Sequence, residues 1–281
     1  MGARVAWALP PGFRYGLSGA LGSAWWSLDR GRRAAILVNY GAALGLEPHD
    51  PEVARVAREA FANYGRMLAD FLMMGAPDAR AAVDRLTFSG VEAAEAALAA
   101  GRGAVLALPH MGSWDASGSL AAARGYPISA VAESFPGSLN DAVVATRSAS
   151  GLRVIPLGHS AVRGINRALD ENRLVALLCD LPPEGGGTEV KFLGGRAKLA
   201  LGVAAIARKR GVPLLPVFAR SRGLGRYHLH VDPGVDLGDP ADGRTGANRV
   251  MQEVARRFEV FIRRHPDQWY AFKPIVYGVA R

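Results

Sequence analysis

From about residue 85 onward, short apolar runs alternate with stretches of helical periodicity, and this alternation limits the fold more than any other feature of the chain. Runs at 103–108, 128–132, 153–156, 173–179, 189–193, 214–220 and 226–232 have the length and content of strands; 91–100, 114–124, 138–149, 160–171, 199–210 and 246–264 have the spacing of helices. Strands separated by helices need crossover connections, which predicts a largely parallel sheet covered on both faces. The last two runs are joined through Gly223 and Gly225, and Tyr227-His228-Leu229-His230-Val231 alternates, so that pair is predicted antiparallel and the sheet mixed. The fold class is therefore α/β, a single domain over 1–281.

Residues 1–80 are expected to be a helical N-terminal extension. Its clearest helix starts at Asp50-Pro51-Glu52, a cap, a first-position proline and an acidic residue at the positive helix end. Val53, Val56, Ala57, Ala60, Phe61, Tyr64, Met67, Leu68, Phe71 and Leu72 then follow one face, and Gly75 and Pro77 are predicted to stop it. Upstream, the uncharged run between Arg14 and Asp29 is shorter than the ~20 apolar residues that cross a bilayer. It holds Trp25 and Trp26 between Arg14 and the group Arg30, Arg32 and Arg33, the composition of either an interfacial helix or a core helix with a solvated basic end. Pro10, Pro11, Gly12 and Arg14 interrupt what would be the apolar region of a signal peptide.

A net charge of +9 points toward anionic partners, but 30 of the 34 basic residues are Arg in an Ala-, Gly- and Val-rich chain, so part of that charge reflects composition bias. No nucleic-acid motif accompanies it, and no nucleic-acid partner is expected. Cys179, the single cysteine, ends an apolar run and reads as an inert buried thiol. Gly-x-Ser-x-Gly, Walker and Gly-x-Gly-x-x-Gly patterns are absent from the sequence, which removes the usual hydrolase and nucleotide-binding readings.

Six histidines remain as candidates for chemistry. His49, His159 and His265 fall at helix ends and read as structural. His228 and His230 share a strand face without a Cys or acidic group to complete a metal set, so no metal or other cofactor is expected. His110 differs: Ala104–Leu108 should be a buried strand, Pro109 ends it, and Met111-Gly112-Ser113 turns into a helix near Trp114. That puts His110 at the carboxyl end of a strand, where clefts open in α/β sheets. Ser113 is predicted to cap the helix, leaving Asp115 in its first turn. The turn brings His110 and Asp115 within reach, so Asp115 is expected to fix the imidazole tautomer while the other nitrogen takes a proton from a hydroxyl. Spacing alone is weak, since six His and fourteen Asp give roughly 0.3 chance matches in this length.

Pro109-His110-Met111-Gly112-Ser113-Trp114-Asp115 resembles the His-x4-Asp motif of glycerolipid acyltransferases, in the form used by the lipid A lauroyl/myristoyl acyltransferase family and its phosphatidylinositol mannoside branch. Ala132-Glu133, Gly151-Leu152-Arg153-Val154-Ile155-Pro156, Asp180, Glu189-Val190-Lys191-Phe192-Leu193-Gly194 and His265-Pro266-Asp267-Gln268-Trp269 follow in family order over nearly the whole chain. The resemblance implies transfer of a long-chain acyl group, palmitoyl by preference, from acyl-CoA or an acyl carrier protein to a hydroxyl of a glycolipid. His110 would be the general base, with Asp115 and Glu189 as rival partners and Glu133 and Arg147 in support. Lys191, Phe192, Gly194 and Arg196, with Ser113, are expected substrate-binding or supporting positions. The anchoring transmembrane helix usual in the lipid A branch is not found in this sequence, so a peripheral place on an anionic membrane surface, the cytoplasmic face of the plasma membrane, is expected, with residues 1–80 facing the lipid. One departure is Asp180-Leu181-Pro182-Pro183, where relatives often carry Arg or Gln after the Asp. Three other readings stay open: a lipid A-type or other glycolipid or phospholipid O-acyltransferase, a lipid-binding homologue without turnover, and a thioesterase-like hydrolase in which water replaces the lipid hydroxyl.

Overall fold

The computed structural model describes residues 10–74, 83–134, 136–181 and 186–279. Three helices come first: α1 (Pro11–Leu28), α2 (Arg33–Leu44) and α3 (Pro51–Met73). Asp50 caps α3 by accepting from the Glu52 N–H, as the sequence predicts, while the proposed stop at Gly75 and Pro77 lies outside the described residues. α1 and α3 pack backbone to backbone because Gly22 and Gly65 leave room. A Cβ at Gly22 would stand 2.1 Å from the Phe61 carbonyl oxygen, and one at Gly65 would stand 2.2 Å from that of Ser18.

The α/β part runs β1 (Leu86–Ser89), α4 (Glu92–Ala99), β2 (Ala104–Leu108), α5 (Trp114–Ala123), β3 (Ile128–Ala132), α6 (Ser138–Ser148), β4 (Arg153–Pro156), α7 (Ala161–Asp170), β5 (Leu174–Leu178), β6 (Thr188–Phe192), β7 (Gly195–Leu199), α8 (Gly202–Arg210), β8 (Leu214–Ser221), β9 (Tyr227–Val231) and α9 (Gly243–Arg264). Seven strands make one sheet in the order β1-β9-β8-β2-β5-β3-β4. All pairings are parallel except β8 with β9, the antiparallel pair foreseen from the sequence. Strand β2 is buried along its whole length, and its side chains divide between two cores: Val105 and Ala107 on the α7–α8–α9 side, Ala104, Leu106 and Leu108 on the α4–α5 side. The fold class, an α/β domain with N-terminal helices, is the one read from the sequence.

Two strands escaped that reading. β1 adds to the sheet beside β9, and β7 pairs with β6 in a separate antiparallel hairpin, so the run at 189–193 is not a strand of the main sheet. The tail after α9 returns across the carboxyl end of the sheet. Asn39, fully buried on α2, holds it by donating to the carbonyls of Ala271 and Lys273 and accepting from the N–H groups of Ile275 and Val276. Every hydrogen-bonding group of that amide is used, so the N-terminal helices brace the segment that in turn braces the site.

Candidate active site

Leu108 and Leu178 are partners in the parallel β2–β5 ladder. Continuing each strand by two residues brings His110 and Asp180 side by side at the carboxyl edge of the sheet. His110 Nδ1 lies 2.6 Å from Asp180 Oδ1, and the His110 backbone N–H donates to both carboxylate oxygens at 3.0 Å. Trp269 completes the cradle, its indole N–H donating to Asp180 Oδ2 at 3.0 Å. Asp180 is fully buried and the His110 side chain is 25% exposed, so the ring has one shielded edge and one open edge. Burial alone would raise the Asp180 carboxyl, but attraction to His110 and the hydrogen bonds from His110 and Trp269 outweigh it and hold the group below its ordinary value. An ionised acceptor there fixes the tautomer with hydrogen on Nδ1. Among the described residues no protein group hydrogen-bonds Nε2.

The turn carrying His110 is clamped by the returning tail. Gly112 N–H donates to the Gln268 carbonyl, Tyr270 N–H donates to the His110 carbonyl, and Met111 pairs with Trp269 between them. The Tyr40 hydroxyl on α2 donates to the Trp269 carbonyl at 2.5 Å. Gly112 has φ +60°, and a Cβ there would stand 2.1 Å from the Ala219 carbonyl oxygen, so only glycine fits.

The expected partners of His110 are placed differently. Asp115 does occupy the first turn of α5, but Arg147 of α6 takes its carboxylate with two hydrogen bonds, 2.7 Å from Nε and 3.1 Å from NH2. Arg147 is itself buried, with its guanidinium over the Phe71 ring. The pair ties α5 to α6, and the imidazole turns to Asp180 instead. Glu189 lies half-exposed on the β6–β7 hairpin, bound to Arg196 and the Tyr277 hydroxyl, and does not contact His110. Ser113 does not cap α5; its hydroxyl donates to Asp70 Oδ2 of α3 at 3.0 Å. Burial raises the Asp70 carboxyl to about 6, against the opposing pull of hydrogen bonds from Ser113 and Tyr227 and the charge of Arg14.

The remaining expected positions divide. Phe192 is buried and meets Trp269 edge-on at 6.0 Å between ring centres, and Gly194, φ +83°, makes the hairpin turn. Lys191 and Arg196 point outward on that hairpin, and Glu133 is exposed just past β3. Cys179 is fully buried beside the site, with its thiol pushed well up by burial and by Asp180, which makes it inert. Sequence reasoning missed Asp180 as the partner; its signal was that it stands two residues past the end of its strand, just as His110 does.

An aromatic series starts at the site. Trp114 meets the His110 ring edge-on at 5.5 Å, Tyr270 follows at 5.8 Å, then Tyr64 at 5.2 Å, and Tyr64 touches Phe272 and Trp25 of α1. Trp25 lies on an exposed apolar stripe with Phe13, Leu17, Leu21 and Leu28, and Leu68 and Leu72 of α3 are exposed as well. Among the described residues no helix is long and apolar enough to cross a membrane.

A buried carboxylate–histidine pair at a strand end is shared by unrelated enzymes, so comparison with known proteins decides the class. The profile of the bacterial lipid A biosynthesis acyltransferases matches residues 1–275. The chain belongs to this acyltransferase family. A phosphatidylinositol mannoside acyltransferase of Mycobacterium tuberculosis (strain CDC 1551 / Oshkosh) is 31% identical over 243 residues, 84% of this chain and 74% of the relative. The protein of that name from Mycolicibacterium smegmatis is 29% identical over 97% of this chain and 88% of its own length. A lipid A biosynthesis acyltransferase of Haemophilus influenzae is 27% identical over 66% of this chain and 57% of its own. The motifs that suggested the family from sequence alone thus lead to the right one, and the protein is an enzyme that acylates lipids.

Proposed function

We propose that this acyltransferase moves a long-chain fatty-acyl group, palmitoyl by preference, from acyl-CoA to a hydroxyl of a glycolipid of the phosphatidylinositol mannoside type, with His110 as general base. The observation that carries the reading is the His110–Asp180 pair, with Nδ1 committed to a buried carboxylate, the ring 25% exposed, and Nε2 without a hydrogen-bond partner among the described residues. Nε2 takes the proton of the acceptor hydroxyl as its oxygen attacks the thioester carbonyl. The tetrahedral oxyanion then collapses, the carbon–sulfur bond breaks, and the leaving thiolate receives the proton from the imidazolium. Asp180 stabilises that imidazolium and keeps the ring aimed. The Asp115–Arg147 ion pair sets the position of α5, which supplies Trp114 beside the ring. Glu189 has no part in the relay, and Glu133, Lys191 and Arg196 are left as surface contacts for the substrates.

The aromatic series from Trp114 to Trp25 offers an apolar lane for the acyl chain between the site and the exposed stripe of α1. That stripe, with Arg14, Arg30 and Arg32 nearby in sequence, suits docking on an anionic lipid surface, peripherally at the cytoplasmic face of the plasma membrane. The glycolipid acceptor is favoured by the names of the two actinobacterial relatives. The test is thiol release by purified protein supplied with palmitoyl-CoA and a mannosylated inositol lipid. The proposal expects release that depends on the acceptor and is abolished in His110→Ala. Release of free acid at the same rate with or without acceptor would make the protein a thioesterase instead.

A further inference from the structure

A cleft of about 470 Å³, on the β8, β9 and α9 side, borders the His110 turn through Met111 but is not lined by His110, Asp180, Ser113 or Trp114. Its floor is apolar, with Phe218 and Phe261 stacked at 3.7 Å. Its charge is unbalanced. The one carboxylate in the lining, Asp232, is already shared between His230 and Arg257, each at 3.0 Å. Arg220 and Arg264 have no carboxylate partner among the described residues. The Arg220 guanidinium, half-buried, donates to His265 Nε2 at 3.0 Å, so it rests against a neutral ring rather than a counter-charge. His228 beside it is held by Thr87 and Ser89, and both His228 and His265 are pushed down by burial and by Arg220, which keeps them uncharged near neutrality.

A partly desolvated guanidinium without a counter-ion costs free energy that an anion would recover. Its planar fork matches phosphate oxygens in a way a lysine would not. We infer that this cleft is a phosphate-binding site, with Arg220 as its principal donor and Arg264 at its mouth. The cleft exceeds the size of one phosphate, so the group that carries the phosphate lies along the Phe218–Phe261 floor. Under the acyl-transfer reading the phosphate belongs either to the nucleotide end of the donor or to the head group of the acceptor. That assignment rests on the reading above, whereas phosphate binding itself does not.

Calorimetric titration of the full chain with pyrophosphate tests the site directly. The wild type is expected to bind, and Arg220→Gln to bind about tenfold or more weakly, the loss of one charge-assisted contact. The surface change Arg264→Gln should weaken binding severalfold, so the result does not depend on Arg220→Gln folding well. Equal affinity in the wild type and both variants, or no binding by the wild type at about 10 mM, overturns the proposal. Repeating the titration with CoA and with inositol 1-phosphate names the source, which is the ligand whose affinity falls in the variants. His110→Ala should bind pyrophosphate as the wild type does, so failure of the acyl-transfer reading would leave this result intact.

Discussion

Replacing Asp180 with Asn alters one atom in a site where every neighbour donates. The carboxylate accepts from the His110 ring, the His110 backbone and the Trp269 indole. Asn has one carbonyl oxygen and one NH2, so a donor must face a donor. If the NH2 faces His110, the tautomer inverts and Nε2 carries the hydrogen, leaving it unable to take a proton. If the NH2 faces Trp269, the tautomer survives but the imidazolium formed during transfer has no buried counter-charge. Losing a charge-assisted hydrogen bond costs about 1.5–3 kcal/mol, and stranding a partly buried charge raises the total to roughly 3–5 kcal/mol. That corresponds to a rate loss of about 10²–10⁴. The assay is kcat for thiol release from palmitoyl-CoA with saturating acceptor, with near-UV circular dichroism to confirm that the fold persists. Asp115→Asn should lose less, because it loosens an ion pair between helices rather than the proton acceptor. An Asp180→Asn enzyme within about tenfold of wild type, beside an Asp115→Asn enzyme that is dead, would refute the assignment of the relay.

Asp70 gives a stability prediction. Its folded carboxyl is raised from 3.8 to about 6, so ionisation opposes folding; that destabilisation is absent below pH 3.8, grows as pH rises through about 6, and reaches ~3 kcal/mol at most. The parent should therefore lose Tm between those pH values and Asp70→Asn should not, and an identical pH profile in both proteins would contradict it. Glu189→Gln should keep kcat within a factor of about three, since an exposed pair contributes little, and a hundredfold loss would return Glu189 to the relay. Gly112→Ala should lose activity by more than tenfold, from a φ strain of about 1–3 kcal/mol and displacement of the His110 turn; wild-type kinetics would show that the turn tolerates a Cβ. Leu17→Ser combined with Leu21→Ser should reduce sedimentation with anionic vesicles while leaving acyl transfer from a short, soluble acyl-CoA to a soluble mannoside acceptor unchanged, and undiminished vesicle binding would remove α1 from the membrane contact.

The layer architecture was legible because buried strands and amphipathic helices carry different periods, and β2, β3, β5 and β8 announce themselves as apolar runs. β7 did not: Arg196 and Lys198 alternate with Ala197 and Leu199 over only five residues, a pattern easily absorbed into the helix that follows. β1 is four residues long, with Thr87 exposed in the middle of it. The position of His110 at a strand end could be read from Pro109 and the apolar run before it. Its partner could not, because which strand lies beside β2 is set by packing of the whole sheet. The neighbour is β5, not a strand adjacent in sequence, and so the carboxylate seventy residues away is in register with His110 while the one five residues away is not. Asp115 was correctly placed on its helix, but Arg147, expected as an independent supporting residue, is what occupies it.

The central claim, that His110 held by Asp180 passes an acyl group to a glycolipid hydroxyl, is tested most directly by mass spectrometry of lipid products. Purified protein is incubated with isotopically labelled palmitoyl-CoA and a mannosylated phosphatidylinositol, and the extract is searched for an added labelled palmitoyl ester. The account predicts a singly acylated product with wild type, a trace with Asp180→Asn and none with His110→Ala. A labelled ester formed equally by all three would contradict it.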